Sequence, residues 1–330
     1  MQHQRFLRYF LTVGVSMMLV SITLAYLVAQ PATRPETRFV QTSVLNIAYE
    51  TQGPADGEPV ILLHGFPDDI RAWDAVVAGI TAEGFRTYTP YLRGYGATQF
   101  LDDATLRSGQ NGALMQDIIE FADALGLAQF VLVGHDWGAQ AAQGIAALYP
   151  DRVKHLISFA PYSLTWSDYQ AGPPNYEQIR ALWYQNVLNQ DIGEGLLYGD
   201  RRGFTRYLWA TWSPSWAFSD DTFEVTAAAF DNPDFIPVVL HAYRSGYGAA
   251  QNDPRYDAIE AQLAQRPAIT VPTTVLLGGD DGINIFDASM LAQQADFTGE
   301  YSASVHDDVG HFIHRERPEV VIQAILATRS

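Results

Sequence analysis

The sequence predicts an α/β protein with a mostly parallel, doubly wound sheet and an inserted helical cap. Strand-like and helix-like segments alternate along most of the chain, which is typical of a parallel sheet covered on both faces. The alternation stops over residues 162–266, where aromatic residues are dense and Pro and Asn interrupt short helical stretches. We therefore expect a core built from residues 38–161 and 267–330, with residues 162–266 as the cap.

Hydrophobic patterning places the individual elements in order. The run Val60-Ile61-Leu62-Leu63 is short and wholly apolar, as in a strand buried on both faces. Between residues 113 and 125 the apolar residues recur at helical spacing instead, and Gly84 and Pro150 mark the ends of two further helices. Pro318 begins a last helix, at a position where its missing N–H costs nothing. The predicted strands are 60–63, 86–89, 130–133, 153–159, 273–277 and 301–305, and the predicted core helices are 73–83, 113–125, 139–149 and 318–328.

Composition and charge narrow the possible function classes. The chain has 330 residues, no Cys and a formal net charge of −17. Without Cys it has no disulfide framework, thiolate metal site or thiol nucleophile. A surface this acidic repels phosphate backbones, so we expect no nucleic-acid partner. His64 with Asp68 and Asp69 is a weak metal-ligand pattern, and we predict neither a metal nor a cofactor. The oligomeric state is left open.

Residues 1–37 are predicted to lie outside the globular fold. Arg5 and Arg8 precede an uncharged, apolar run from Tyr9 to Ala29. This run fits the ~20 residues that cross a bilayer better than the ~7–15 residues of a cleaved signal core. We expect an exported protein that contacts the membrane through this segment alone, with a secreted, signal-cleaved form as the alternative. Residues 30–37 read as a proline-stiffened linker.

A sharp strand-to-helix junction carries the first chemical signal. Gly134-His135-Asp136-Trp137-Gly138 joins the predicted strand 130–133 to the helix 139–149. The spacing is that of a nucleophile elbow, glycine–x–nucleophile–x–glycine, with Asp in place of Ser. Glycine is needed on both sides because the turn is strained and the helix packs close to the strand. We predict Asp136 as the nucleophile, and an ordinary helix N-cap is the structural alternative.

The partners of Asp136 are expected in loops that follow other strands. Sites of this kind order the chain as nucleophile, acid and histidine. We predict Asp281 as the acid, and His311 as the base because it follows a glycine in the loop before the last helix. The competing candidates are Asp280, His306 and His314. The loop after strand 60–63 supplies a second oxyanion donor in this arrangement, so we predict the backbone N–H groups of Phe66 and Trp137.

Together these segments resemble the epoxide hydrolase and haloalkane dehalogenase branch of the α/β-hydrolase family, over nearly all of the chain beyond the linker. The matching motifs are His64-Gly65-Phe66-Pro67, Leu92-Arg93-Gly94-Tyr95-Gly96, Gly134-His135-Asp136-Trp137-Gly138, Gly278-Gly279-Asp280-Asp281 and Gly310-His311-Phe312. The resemblance implies an α/β-hydrolase fold with a helical cap. It also implies two cap tyrosines that donate O–H groups to the substrate oxygen, and Tyr184 and Tyr243 fall where the family places them. Trp137 and Trp183 are expected beside them in the substrate pocket.

An aspartate nucleophile changes the expected reaction. A carboxylate can displace a leaving group at a saturated carbon and form an alkyl ester. His311, held by Asp281, would then activate water to hydrolyse that ester. We therefore expect hydrolysis of a small, neutral, apolar epoxide to a diol. The first alternative is a haloalkane or haloacid dehalogenase with the same triad, in which Trp137 and a cap tryptophan such as Trp183 or Trp209 hold the halide. The second alternative is a non-catalytic binding protein.

Overall fold

The computed structural model describes residues 34–165, 176–284 and 294–329. The chain divides into two units, residues 1–34 and 35–330, and the second unit contains the fold described below. The predicted apolar segment 9–29 lies outside the described residues. Within the described ranges, no helix combines the length and the apolar character that crossing a membrane requires.

In the described residues nine strands form one sheet. The strands are β1 (Arg38–Gln41), β2 (Leu45–Gln52), β3 (Glu58–Leu63), β4 (Phe85–Pro90), β5 (Gln99–Phe100), β6 (Phe130–Gly134), β7 (Val153–Ser158), β8 (Thr273–Gly278) and β9 (Tyr301–His306). Their order is β1-β2-β4-β3-β6-β7-β8-β9, and β5 pairs with β2. Strand β2 pairs antiparallel with β1, β4 and β5, whereas all neighbours from β4 to β9 are parallel. The predicted, mostly parallel sheet is confirmed, with an antiparallel edge that patterning had not indicated.

Helices cover the sheet and fill the long connection between β7 and β8. The core helices are α1 (Asp74–Ala82), α2 (Asn111–Ala124), α3 (Trp137–Leu148), α10 (Ile313–Glu316) and α11 (Pro318–Ala327). The helices between β7 and β8 are α4 (Tyr176–Ala181), α5 (Trp183–Leu188), α6 (Asp191–Trp212), α7 (Asp220–Ala227), α8 (Phe235–Gly246) and α9 (Asp257–Leu263). The segment predicted as a cap therefore contains six α-helices among its described residues. Its predicted limits stay a prediction, and residues 166–175 lie outside the described ranges.

The apolar core lies on both faces of the sheet. Along β3, Val60 and Leu62 pack on one side with residues of α1 and α11, while Ile61 and Leu63 pack on the other side with residues of α2 and α3. This alternation follows from the two-residue period of a strand. It explains why the core strands read as continuous apolar runs rather than as alternating patterns.

The parallel strands place four loops at one edge of the sheet. Strands β3, β6, β8 and β9 all run in the same direction, so their carboxyl ends point to the same side. Ligands of open α/β sheets bind beyond the carboxyl ends of the strands. The loops that follow these four strands carry Phe66, Asp136, Asp281 and His311. The fold therefore gathers residues that are far apart in the sequence into one region.

Candidate active site

Asp136 occupies a strained turn between β6 and α3. Its φ of 53° and ψ of −119° are unfavourable for a residue with a side chain. Neighbouring glycines make room for the turn: a Cβ on Gly134 would lie 2.3 Å from the Gly138 carbonyl oxygen, and a Cβ on Gly138 would lie 2.5 Å from that of His64. A Cβ on Gly65 would lie 2.4 Å from the Cβ of Asp136. The glycine spacing thus allows one strained carboxylate between two closely packed loops.

Two backbone N–H groups hold the Asp136 carboxylate. The Phe66 N–H donates to Oδ1 over 2.7 Å, and the Trp137 N–H also bonds the carboxylate. These are the two groups that the sequence predicts as an oxyanion pair. Burial raises the pKa of Asp136 to about 6, while the His311 charge and the two N–H groups offset part of the rise. The carboxylate is ionised at neutral pH but has little water around it, since its side chain is only 14% exposed.

His311 lies between the predicted acid and the predicted nucleophile. Its Nδ1 lies 2.9 Å from Asp281 Oδ2, and its Nε2 lies 3.9 Å from Asp136 Oδ2. Asp281 is itself fixed, because its Oδ1 accepts the backbone N–H groups of Ile283 and Asn284 over 2.9 Å and 3.1 Å. The Nε2 atom of His311 is buried and has no hydrogen-bond partner among the described residues. The geometry therefore directs that nitrogen towards the Asp136 carboxylate.

The charges around His311 control its protonation. Burial alone lowers the pKa of an imidazole, but Asp281 and Asp136 outweigh burial here, with a smaller contribution from Glu316. The pKa of His311 is therefore raised above its ordinary value of 6.5. Any reaction that neutralises Asp136 removes one of these raising charges.

The competing candidates lie elsewhere. Asp280 is exposed, next to the acid loop. The Nε2 of His306 lies 2.9 Å from the hydroxyl of Ser304, and His314 is buried against Asp68 at 3.2 Å. Of the candidates for nucleophile, acid and base, Asp136, Asp281 and His311 are the ones that lie together in the described part of the chain.

Two tyrosines of the predicted cap form part of the wall of the site. Tyr184 on α5 and Tyr243 on α8 are buried, and their rings meet edge to face with centroids 5.7 Å apart. The Trp137 side chain hydrogen-bonds the Tyr243 hydroxyl, and Gln185 Nε2 donates to the Tyr184 hydroxyl over 3.2 Å. Burial raises the pKa of Tyr243 well above its ordinary value, with Tyr184 and Asp136 adding to the rise. This tyrosine therefore stays protonated, and its O–H group can donate a hydrogen bond.

A cavity of about 430 Å³, including its mouth, joins these groups. It is lined by Asp136, Trp137, Gln140, Phe159, Ala160, Leu182, Tyr184, Gln185, Tyr243, Ile283, Asn284 and His311. Trp183 is not among the described lining residues, and its role as a substrate contact stays a prediction. Its ring packs against Phe204 and Tyr207 instead, because consecutive residues of a helix point in different directions. Gln185, the residue on the other side of Tyr184 in the sequence, lines the cavity.

Three polar residues of the described lining were not predicted as site residues. Gln140 follows Asp136 by one helical turn, which places it beside the nucleophile, but no role was predicted for it. Asn284 donates from Nδ2 to Asp281 Oδ2 over 2.8 Å. Gln185 accepts the Tyr247 hydroxyl at Oε1 over 2.7 Å, which fixes its amide so that Nε2 faces Tyr184. No local motif marks Asn284 or Gln185.

One carbonyl group of the cap joins the acid loop to the base loop. The carbonyl oxygen of Trp212, the last residue of α6, accepts the Gly282 N–H over 2.9 Å and the His311 N–H over 3.1 Å. A Cβ on Gly282 would lie 2.0 Å from the Thr211 carbonyl oxygen. The end of α6 therefore fixes the spacing of the two loops that carry Asp281 and His311.

Glu316 forms a second clamp on the base loop. Its Oε2 accepts the Gly310 N–H over 2.9 Å, and its Oε1 accepts the Ser213 hydroxyl over 2.7 Å. The Phe312 N–H lies 3.2 Å from both Glu316 Oε1 and Ser213 Oγ. One carboxylate thus holds the backbone on both sides of His311, and sequence reasoning did not single it out.

One cluster among the described residues could offer ligand atoms to a metal ion. It consists of Asp68, His135 and His314, whose potential ligand atoms lie within 4.8 Å of one another. Asp68 is already paired with the Arg315 guanidinium and with His314. The Nε2 of His135 lies 3.0 Å from the His311 carbonyl oxygen. A cation placed here would face the Arg315 charge, so the group does not fit a metal centre.

The chain is similar to known proteins over most of its length. A family model described as alpha/beta hydrolase fold matches residues 58–318. An epoxide hydrolase of Caballeronia sordidicola is 27% identical, over 86% of this chain and 89% of its own length. Epoxide hydrolase A of Mycobacterium tuberculosis is 24% identical, over 88% of this chain and 96% of its own length. A crystal structure of a Klebsiella pneumoniae protein assigned as an epoxide hydrolase is 37% identical, has a TM-score of 0.85, and covers 89% of this chain and 97% of that one.

Proposed function

The chain belongs to the α/β-hydrolase fold family, in its epoxide hydrolase branch, and we propose that it converts a small, neutral, apolar epoxide to a vicinal diol through an ester on Asp136. The cavity supports a neutral substrate, because its described lining contains neither Arg nor Lys. Phe159, Ala160, Leu182 and Ile283 give it an apolar surface beside the catalytic groups.

The arrangement of the carboxylate supports the first step. Two N–H groups hold the carboxylate of Asp136, and the Phe66 N–H donates to Oδ1, so Oδ2 is the oxygen left to attack carbon. As the bond from Oδ2 to carbon forms, the carbon–oxygen bond of the epoxide breaks. Tyr184 and Tyr243 then donate O–H groups to the developing alkoxide, and one of them gives up its proton.

The second step uses the change in charge at Asp136. Esterification neutralises this carboxylate, which is one of the charges that raise the pKa of His311. Once the ester exists, a larger fraction of the imidazole is therefore unprotonated and able to accept a proton. His311 Nε2 takes a proton from water as the water oxygen attacks the carbonyl carbon of the Asp136 ester. The Phe66 and Trp137 N–H groups, which already hold the carboxylate, stabilise the resulting oxyanion; this observation carries the proposal. The bond between that carbon and Oδ2 then breaks, the remaining water proton passes to the oxygen of the departing diol, and the proton on His311 restores the tyrosine that lost its own.

The dehalogenase alternative lacks suitable halide donors in the described part of the cavity. The Trp137 side chain is bonded to Tyr243, and the Trp209 indole N–H donates to the Pro67 carbonyl oxygen over 2.8 Å. Trp183 lies outside the lining. Trp212 has a buried indole N–H without a partner among the described residues, but it does not line the cavity either.

Two substrates separate the candidate functions. The protein is incubated with styrene oxide and, separately, with 1-bromobutane, and diol and bromide are measured. We expect diol from the epoxide, no bromide, and loss of diol formation in Asp136→Asn. Bromide release without diol would refute the proposal in favour of a dehalogenase, and the absence of both products would favour a binding protein.

We also propose that the segment 9–29 tethers the enzyme to the membrane after export. The proposal rests on the length of its apolar run. Membrane fractionation, together with the N-terminal sequence of the mature protein, tests it. A mature chain that begins after residue 29 would show a cleaved signal instead.

A further inference from the structure

The predicted acid of the triad is held by one residue that bonds both of its oxygens. The backbone N–H of Asn284 donates to Asp281 Oδ1 over 3.1 Å, and the side-chain Nδ2 of the same residue donates to Asp281 Oδ2 over 2.8 Å. The backbone N–H of Ile283 adds a second bond to Oδ1 over 2.9 Å. The backbone alone therefore holds Oδ1, whereas the bond from Asn284 to Oδ2 depends on a side chain.

Oδ2 is also the oxygen that faces the predicted base. His311 Nδ1 lies 2.9 Å from it, so the amide of Asn284 and the imidazole of His311 share one carboxylate oxygen. An ionised carboxylate only accepts hydrogen bonds, which means that the amide must present its NH₂ group to Oδ2. A donor to the carboxylate stabilises its charged form, and it therefore weakens the attraction of Oδ2 for the proton on His311.

Burial makes the pair of Asp281 and His311 sensitive to such a donor. The side chains of these two residues are only 4% and 2% exposed, so little water screens the charge between them. Asn284 contributes to the wall of the catalytic cavity, whereas Asp281 is not among the described lining residues. Asn284 therefore contacts both the cavity and the acid.

The charged groups around the base all favour its protonation. Burial lowers the pKa of His311, but three carboxylates outweigh burial and raise it above 6.5, namely those of Asp281, Asp136 and Glu316. The nearby imidazoles of His135 and His314 bring no opposing charge at neutral pH, because burial lowers the pKa of both. A donor that weakens the pull of Asp281 therefore enlarges the unprotonated fraction of His311.

We propose that Asn284 is a positioning residue for the base: its side-chain amide shares Oδ2 of Asp281 with His311 and limits how firmly the acid holds the imidazole proton. This inference rests on the proposed function, in which unprotonated His311 activates water to hydrolyse the ester. Asn284 acts through Asp281, so it affects ester hydrolysis. The displacement that forms the ester does not use the base, and its rate does not depend on Asn284.

A histidine titration by NMR tests the inference without substrate. Asn284→Leu removes the amide but keeps the backbone N–H and a side chain of similar size, and the signal lost in His311→Gln identifies the base. We expect the pKa of His311 to rise by about one in Asn284→Leu. Asn252→Leu makes the same change at an exposed position and should leave it unaltered. An unchanged or lower pKa of His311 in folded Asn284→Leu would overturn the inference, whether or not the protein hydrolyses epoxides.

Single-turnover kinetics with styrene oxide give a second readout. In Asn284→Leu the His311-dependent limb of ester hydrolysis should move by about one pH unit to higher pH, so hydrolysis slows about tenfold below the limb and recovers above it. Ester formation should keep its wild-type rate. Hydrolysis that stays slow at high pH would show that the side chain only supports the acid loop, and would overturn the inference. Asn284→Ala lacks the same donor and takes both tests should Asn284→Leu fail to fold.

Discussion

We predict that the ionised Asp136 side chain destabilises the folded state. The change in the free energy of unfolding in Asp136→Asn measures the size of this effect. Burial raises the pKa of this carboxyl from an ordinary 3.8 to about 6. The folded protein therefore holds the carboxyl proton more tightly than the unfolded chain does. Above pH 6 the carboxyl is ionised in both states, and the folded state bears the whole penalty. The difference between 3.8 and about 6, at about 1.4 kcal/mol per pH unit, gives about 3 kcal/mol.

The neutral amide of Asp136→Asn removes this penalty while its oxygen can still accept the Phe66 N–H. We expect the free energy of unfolding at pH 7 to rise by up to about 3 kcal/mol, and at pH 4 by about 0.5 kcal/mol, because the wild-type carboxyl is then mostly protonated in the folded state. Urea unfolding of both proteins at the two pH values measures the difference, and intact mass shows that the amide has not reverted.

Asp280→Asn is the matched control, since it makes the same change at the exposed neighbour of the predicted acid. It should leave the free energy of unfolding nearly unchanged at both pH values. Equal stability of wild type and Asp136→Asn at pH 7 would refute the reasoning. A gain that is as large at pH 4 as at pH 7 would also refute it, because it could not come from ionisation of the carboxyl.

Four further substitutions test the separate steps. In His311→Gln the ester should accumulate, seen as a gain of one substrate mass per chain, because its hydrolysis loses a general base and slows about 10²- to 10⁴-fold. Tyr184→Phe and Tyr243→Phe should each slow single-turnover ester formation by about 10²-fold, since each removes one donor to the alkoxide. Glu316→Gln should lower kcat about tenfold with little change in KM, and should move the His311-dependent limb of the pH–rate profile to lower pH, because Glu316 contributes to the raised pKa of that imidazole.

Two matched controls accompany these variants. His306→Gln removes an imidazole outside the cavity, and Glu319→Gln changes an exposed carboxylate on α11. Neither should alter ester formation or hydrolysis. A fully active His311→Gln enzyme without any mass gain would contradict the two-step reaction, and an unshifted pH profile in Glu316→Gln would show that the clamp acts on folding alone.

The predicted triad residues come together because their signals are local. The glycines around Asp136 indicate the close packing of the elbow turn. Asp281 follows a buried strand, and His311 follows a strand that is half-buried to exposed but was also predicted. Once the sheet is parallel, its strand direction brings these loops together without further information.

The antiparallel edge was not predicted, for a physical reason. Strand β1 is only four residues long, and β2 mixes buried apolar positions with Asn46, Glu50 and Thr51. Glu50 is buried, and Arg71 from the short 3₁₀ helix before α1 pairs with it over 2.5 Å. A charged residue that is buried in an ion pair with a residue distant in the sequence does not match the apolar pattern expected of core positions.

Side-chain direction in the cap was also beyond the sequence. Trp183 and Gln185 flank Tyr184 on the short helix α5, and only the packing of that helix against its neighbours decides which of them faces the cavity. The Trp212 carbonyl that joins the acid and base loops is a backbone group. The identity of the side chain at position 212 therefore does not indicate this role.

The two oxygens of Asp136 have different surroundings and therefore play different parts in the proposed reaction. Oδ1 stays bound to the Phe66 N–H, whereas Oδ2 becomes the bridging atom of the ester and leaves with the product. Water then refills the vacated position. In ¹⁸O-enriched solvent the first product molecule would carry an oxygen from the protein and each later one an oxygen from solvent. Each turnover therefore restores the aspartate side chain but replaces one of its two carboxylate oxygens with an oxygen from water.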